Sequence, residues 1–106
     1  HHLIDDILEL SSIEAGKITI EPINVHLAHL VDEICVNLSG KANDRQIKFE
    51  NKINPEKTVW ADKTRLDQML TNLIDNAVKF SKESGKVKVV LNEKDQTNLI
   101  SVIDEG

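Results

Sequence analysis

The chain has 106 residues, 40% hydrophobic and 29% charged, which gives room for one small domain with a modest core or for part of a larger one. Its 13 basic and 18 acidic residues leave a formal charge of -5 and are mixed along the chain, which excludes a basic stripe for nucleic acid or an acidic membrane surface. One cysteine, Cys35, excludes an internal disulfide and a cysteine-built zinc site, and no apolar run approaches the roughly 20 residues that span a bilayer.

Leu3, Ile4, Ile7, Leu8 and the run from Leu10 to Ile13 recur at helical spacings, and Gly16 followed by Lys17 reads as a C-terminal cap. The spacing predicts a helix of about three turns, too short to stand alone in water and therefore in need of a partner helix. His1 and His2 read as helix-end or appended residues. Asp5 and Asp6 read as a solvated face, since adjacent helical residues point about 100° apart. The start carries no signal-peptide pattern, and the segment reads as soluble.

Lys17 to Val25 alternates like a strand, with Pro22 marking an edge or a bend. Leu27, Leu30, Val31, Ile34, Cys35 and Leu38 then define the buried face of a helix that weakens or ends at Ser39-Gly40. Its first turn holds His26 and His29 without a third ligand, so they read as surface histidines, and Cys35 reads as a packing residue. Gln46 to Ile53 alternates again, Asn54-Pro55 turns the chain, and Thr58 to Trp60 forms a short strand. Trp60 is expected in the core beneath the following helix, and Asp62 stands where that helix needs an N-cap.

That helix is the centre of the sequence. Leu66, Met69, Leu70, Leu73, Ile74 and Ala77 give it an apolar face, and at about 100° per residue Gln68, Asn72, Asn76 and Lys79 fall into a second stripe beside it. Asparagine loses a few tenths of a kcal/mol in a helix interior, so two of them a turn apart call for a compensating interaction. Two amide oxygens with an ammonium one turn further on suit magnesium carrying nucleotide phosphates, because that ion keeps most of its waters and takes few protein oxygens. Spacing alone equally allows amides that hydrogen-bond a neighbouring strand and a solvated lysine.

After Ser84-Gly85 the chain alternates from Lys86 to Leu91, crosses a polar connection from Asn92 to Asn98, and returns as a strand from Leu99 to Ile103 before the turn-like Asp104-Glu105-Gly106. The order of elements predicts an α+β fold, a two-layer sandwich with helices on one face of a mixed or antiparallel sheet.

The run from Asp62 to Ser81 resembles the N box of sensor histidine kinases nearly residue for residue. The resemblance implies that Asn76 ligates magnesium with help from Asn72, that Lys79 contacts phosphate, that Asn76 and Lys79 serve catalysis, and that Phe80 lines the nucleotide cleft. Leu3 to Lys17, above all Ile13-Glu14-Ala15-Gly16-Lys17, resembles the end of the second dimerisation helix of that family. Asp104-Glu105-Gly106 after a Val-Ile strand resembles the first half of the family's G1 box, which implies that Asp104 accepts from the adenine amino group and that Gly106 belongs to the nucleotide site.

The resemblance therefore implies residues 1–16 as the end of a dimerisation helix and linker, and 17–106 as the N-terminal part of a C-terminally truncated ATP-binding domain. It implies ATP and Mg2+ as cofactors and transfer of the γ-phosphoryl group to a histidine in two-component signalling. The implied partners are a response regulator receiver domain and a second copy paired through the N-terminal helix, without nucleic acid and without direct membrane contact by this segment. A cytoplasmic setting follows, whether or not the parent is membrane anchored. Without the phosphoacceptor helix, the ATP lid and the later glycine-rich segment, the chain alone is expected to be inactive. Two alternatives are a non-catalytic interaction or dimerisation fragment, and an anti-sigma serine kinase or other ATPase of the same superfamily; the leading helix argues against the second.

Overall fold

Alternation of Val87, Val89 and Leu91 with polar or half-buried neighbours produces a strand with one buried face, and Ile100 and Val102 do the same on the next strand. The two pair antiparallel with Val89 opposite Val102 and Leu91 opposite Ile100, so the apolar residues share one side. The computed structural model describes residues 3–9, 21–94 and 97–105. Its elements in chain order are β1 (Leu3–Glu9), β2 (Pro22–His26), α1 (Leu27–Asn37), α2 (Ser39–Asp44), β3 (Lys48–Asn51), β4 (Thr58–Asp62), α3 (Lys63–Phe80), β5 (Lys86–Lys94) and β6 (Thr97–Glu105).

The main sheet has the order β1-β6-β5-β3, with β3 parallel to β5 and the other pairings antiparallel. A separate ribbon joins β2 and β4 antiparallel. Leu27, Leu30, Val31 and Ile34 from α1 and Leu66, Leu70 and Ile74 from α3 form one buried cluster with Val87, Val89, Ile100 and Val102 of the sheet. The two-layer α+β architecture expected from the sequence is therefore the one that forms, with a mixed sheet. Each fully buried aliphatic side chain in such a cluster contributes about 1.5–3 kcal/mol through removal of its surface from water.

Three expectations need correction or completion. Leu3–Glu9 is not helical: it is β1, paired with β6 from Leu3 opposite Glu105 to Glu9 opposite Leu99. Apolar residues at positions 3, 4, 7 and 8 satisfy a helical period but also put one pair on each set of alternate positions. A short helix without a partner helix leaves its apolar face wet, whereas the flank of β6 offers a full row of backbone partners. Leu10 to Ile20, with the glycine cap and the boundary between residues 16 and 17, lie outside the described residues, as do His1, His2 and Gly106.

Trp60 is not in the core but 61% exposed. Its neighbours Val59 and Ala61 are both buried, and strand alternation then sends the residue between them outward, opposite Asn24. Ser39-Gly40 opens a second helix rather than ending the first: α1 stops at Asn37 with Leu38 as its cap, and α2 follows, anchored by buried Ala42, whose carbonyl accepts from the Ile47 amide at 2.8 Å. His26 and His29 are exposed and Cys35 is half-buried against the core, as expected. Two turns near one another use left-handed backbone without glycine, at Gln46 (φ 57°) and Ser84 (φ 67°).

Candidate functional site

The site is built on α3. Asp62 caps the helix, its Oδ1 accepting from the Arg65 amide at 3.1 Å while Oδ2 accepts from the Glu21 amide at 2.9 Å. These bonds, that from Glu21 first and that from Arg65 second, hold its carboxyl below the usual aspartate value. From this fixed start the periodicity places Leu66, Leu70, Ile74, Ala77 and Val78 inward. Gln68, Asn72, Asn76 and Lys79 are all exposed, so the amide stripe runs along the free face of the helix and no strand among the described residues covers it.

Asp75 lies beside that stripe and holds two cations. Its Oδ2 is 3.9 Å from the Lys79 ammonium, one turn on, and its Oδ1 is 3.2 Å from the Lys41 ammonium of α2. With Lys79 58% and Lys41 61% exposed, both ion pairs are loose and can be exchanged for an anionic ligand at little cost. The spacing of Asp75 and Lys79, an acid four residues before a base, could have revealed this pair from the sequence. Nothing local in the sequence pointed to Lys41. Phe80 ends the helix 67% exposed, a large aromatic surface presented to solvent next to Lys79.

Asp104 comes from the sheet. It sits on β6 opposite Val87, on the side that carries Val102 and Ile100, and is 1% exposed. Its Oδ1 is enclosed without a hydrogen-bond partner among the described residues. A buried carboxylate oxygen with no internal donor suits an external one, and the exocyclic amine of a nucleobase is such a donor. The connection from Phe80 to Lys86 is short, and Val87 is the second residue of β5, so the topology brings Asp104 and the last turn of α3 to the same end of the layer. Lys41 of α2 and Lys79 meet at Asp75 by distance; Asn72, Asn76 and Phe80 share α3 with Asp75 and Lys79.

Among the described residues no group of three or more His, Cys, Asp or Glu is placed to hold a metal. The exposed amide oxygens of Asn72 and Asn76 could contribute to holding a cation together with the phosphates of its ligand, a donor set that suits magnesium.

Residues 61–106 match the family model described as histidine kinase-, DNA gyrase B-, and HSP90-like ATPase. The hybrid signal transduction histidine kinase K of Dictyostelium discoideum is 34% identical over 103 residues, 94% of this chain and 8% of that protein. The chain belongs to the histidine kinases. Among solved structures, full-length ShkA in complex with AMPPNP is similar with a TM-score of 0.71 at 28% identity, over 88% of this chain and 20% of that one. The histidine kinase ThkA in complex with the response regulator protein TrrA gives 0.71 at 30% identity, over 91% of this chain and 29% of that one. This histidine kinase segment thus has the ATPase fold of the family and spans a small part of the relatives it matches.

Proposed function

We propose that this chain forms one wall and the adenine end of the Mg-ATP site of a sensor histidine kinase, in which the γ-phosphoryl group of ATP passes to a histidine. The observation that carries the reading is buried Asp104 with its idle Oδ1 at the end of the layer where α3 delivers Lys79 and Phe80. Asp104 accepts from the adenine amino group. Phe80 covers a face of the nucleotide. Lys79 would exchange Asp75 for a phosphate oxygen, and the amide oxygen of Asn76, assisted by that of Asn72, would hold the magnesium. Magnesium, when bound, neutralises the phosphates so that positioning and charge stabilisation suffice for transfer.

One helix face and one strand end do not enclose a nucleotide, and pockets for such ligands bury most of their surface. The chain alone therefore leaves the phosphates in water and does not catalyse transfer. Its partner in signalling is a response regulator receiver domain, in line with the ThkA–TrrA complex. Residues 1–16 are proposed as a dimerisation segment and linker ahead of the ATP-binding part; pairing with a second copy through them requires Leu3–Glu9 to leave the flank of β6. No helix among the described residues is long and apolar enough to cross a membrane.

The test separates folding from binding in the kinase that carries this segment. Asn76→Ala removes a ligand from an exposed helix position and gains a few tenths of a kcal/mol in helix propensity. The thermal midpoint should hold while magnesium-dependent ATP affinity falls about tenfold or more, the scale of a hydrogen bond or ligand contact to a charged group. Unchanged affinity and autophosphorylation would refute the role of Asn76.

A further inference from the structure

The last turn of α3 ends without a glycine. Ser81 leaves the helix in extended backbone (φ −71°, ψ 150°), and its amide answers the Ala77 carbonyl at 2.9 Å. The carbonyls further on are met from a distant part of the chain. Arg45, at the corner between α2 and β3, donates from Nη1 to the Lys79 carbonyl at 3.1 Å and from Nη2 to the Ser81 carbonyl. Its own carbonyl accepts from the Ser84 amide at 2.8 Å.

The two left-handed residues other than glycine among the described residues belong to this same junction: Gln46 follows Arg45 and Ser84 bonds to it, and their side chains meet at 2.9 Å. L-residues adopt that backbone when surrounding contacts impose it. Nε of Arg45 is enclosed without a partner among the described residues, so the guanidinium is aimed by the two carbonyls rather than by a full set of bonds of its own. A planar fork reaches the two carbonyls with two separate nitrogens and puts positive charge at the carbonyl end of a helix, whereas the donors of an ammonium share one nitrogen and hold no fixed plane.

We propose that Arg45 is a positioning residue for nucleotide phosphates: by clasping the Lys79 and Ser81 carbonyls it fixes the turn from which Lys79 projects. The inference rests on the ATP-site reading above. Without the clasp the uncapped last turn frays, and the Lys79 ammonium no longer starts from one place beside Asp75.

The experiment uses the kinase that carries this segment and the variants Arg45→Lys, Arg45→Gln, Lys79→Met and the Arg45→Lys, Lys79→Met pair. Calorimetry with Mg-ADP, thermal unfolding and hydrogen exchange of the amides of residues 78–82 are the readouts. Arg45→Lys, which keeps the charge and loses the fork, should weaken Mg-ADP binding about fivefold or more and speed exchange at those amides, while in the Lys79→Met background it should change binding less than about twofold, as for coupled neighbours. Arg45→Gln should behave like Arg45→Lys or worse; if it fails to fold, Arg45→Lys alone decides. Wild-type affinity in Arg45→Lys, unchanged exchange, or losses that simply multiply in the double variant would each overturn the proposal, the last because it is the signature of a structural residue acting independently of Lys79. A wild-type kinase that binds no Mg-ADP would sink the ATP-site reading, and this inference with it.

Discussion

Asp104→Asn should make the protein more stable and worse at its task. The carboxylate is 1% exposed and one of its oxygens has no partner among the described residues. A buried polar atom left unsatisfied costs about 1–3 kcal/mol, more when charged, and the amide keeps the size while removing the charge. Unfolding should therefore become harder by about 1 kcal/mol, which for a domain of about 100 residues raises the midpoint by about 4–8 °C. Binding moves the other way. A hydrogen bond to a charged acceptor is worth about 1.5–3 kcal/mol against about 0.5–1.5 for a neutral one, so the substitution removes about 1–1.5 kcal/mol, close to tenfold in Kd. Because guanine presents an acceptor where adenine presents its amine, the preference for Mg-ADP over Mg-GDP should fall as well. Thermal unfolding and paired titrations with the two nucleotides measure both effects in the whole kinase. A variant that is less stable yet keeps its ADP affinity and its ADP-over-GDP preference would show that the carboxylate serves the fold and not the base.

Ile74, fully buried between α3 and the sheet, should cost about 2–5 kcal/mol on Ile74→Ala, read by urea unfolding; a loss below about 1 kcal/mol would contradict the packing described. Burial, and behind it the nearby Asp32 carboxylate, pushes the Cys35 thiol up from 9.0 to about 11. At pH 8 the thiolate fraction is then about a hundredfold lower than for an unshifted thiol, so iodoacetamide should label Cys35 slowly in the folded protein and faster as pH rises toward 11; labelling at the rate of the urea-unfolded chain would refute this.

Much of the fold was legible because its signals are local. Asp62 before an apolar period gave α3 and its cap, and alternation gave β3, β5 and β6. The second stripe of α3 was readable from angle alone, and Gln68, Asn72, Asn76 and Lys79 are indeed the exposed face. What failed was decided by distant partners. Leu3–Glu9 fits two periods, and the choice between them depends on β6, nearly a hundred residues downstream by number. The residue type of Trp60 suggests the core, whereas its side of the ribbon is dictated by Val59 and Ala61. Ser39–Asp44 is weak helix by propensity and forms because Ala42 is buried. Around the site, Lys41 and Arg45 reach α3 across 34 residues of chain, a relation that a single sequence does not display.

The main sheet ends at β3, four residues long, and its flank carries a consequence for solubility. Strand ends of sheets invite other chains to add on, and short length and charge are the usual deterrents. Glu50 of β3 is bridged by Lys52 at 2.8 Å and by Lys86 at 3.1 Å. Its hydrogen bond with Lys52, then that with Lys86, pulls its carboxyl down from 4.5 to about 2. A group lowered in this way keeps its charge until pH falls through about 2, so the row Lys48, Glu50, Lys52 stays charged in acid that neutralises ordinary carboxylates. The deterrent against edge-to-edge aggregation at β3 therefore outlasts the acidic conditions under which many proteins begin to precipitate.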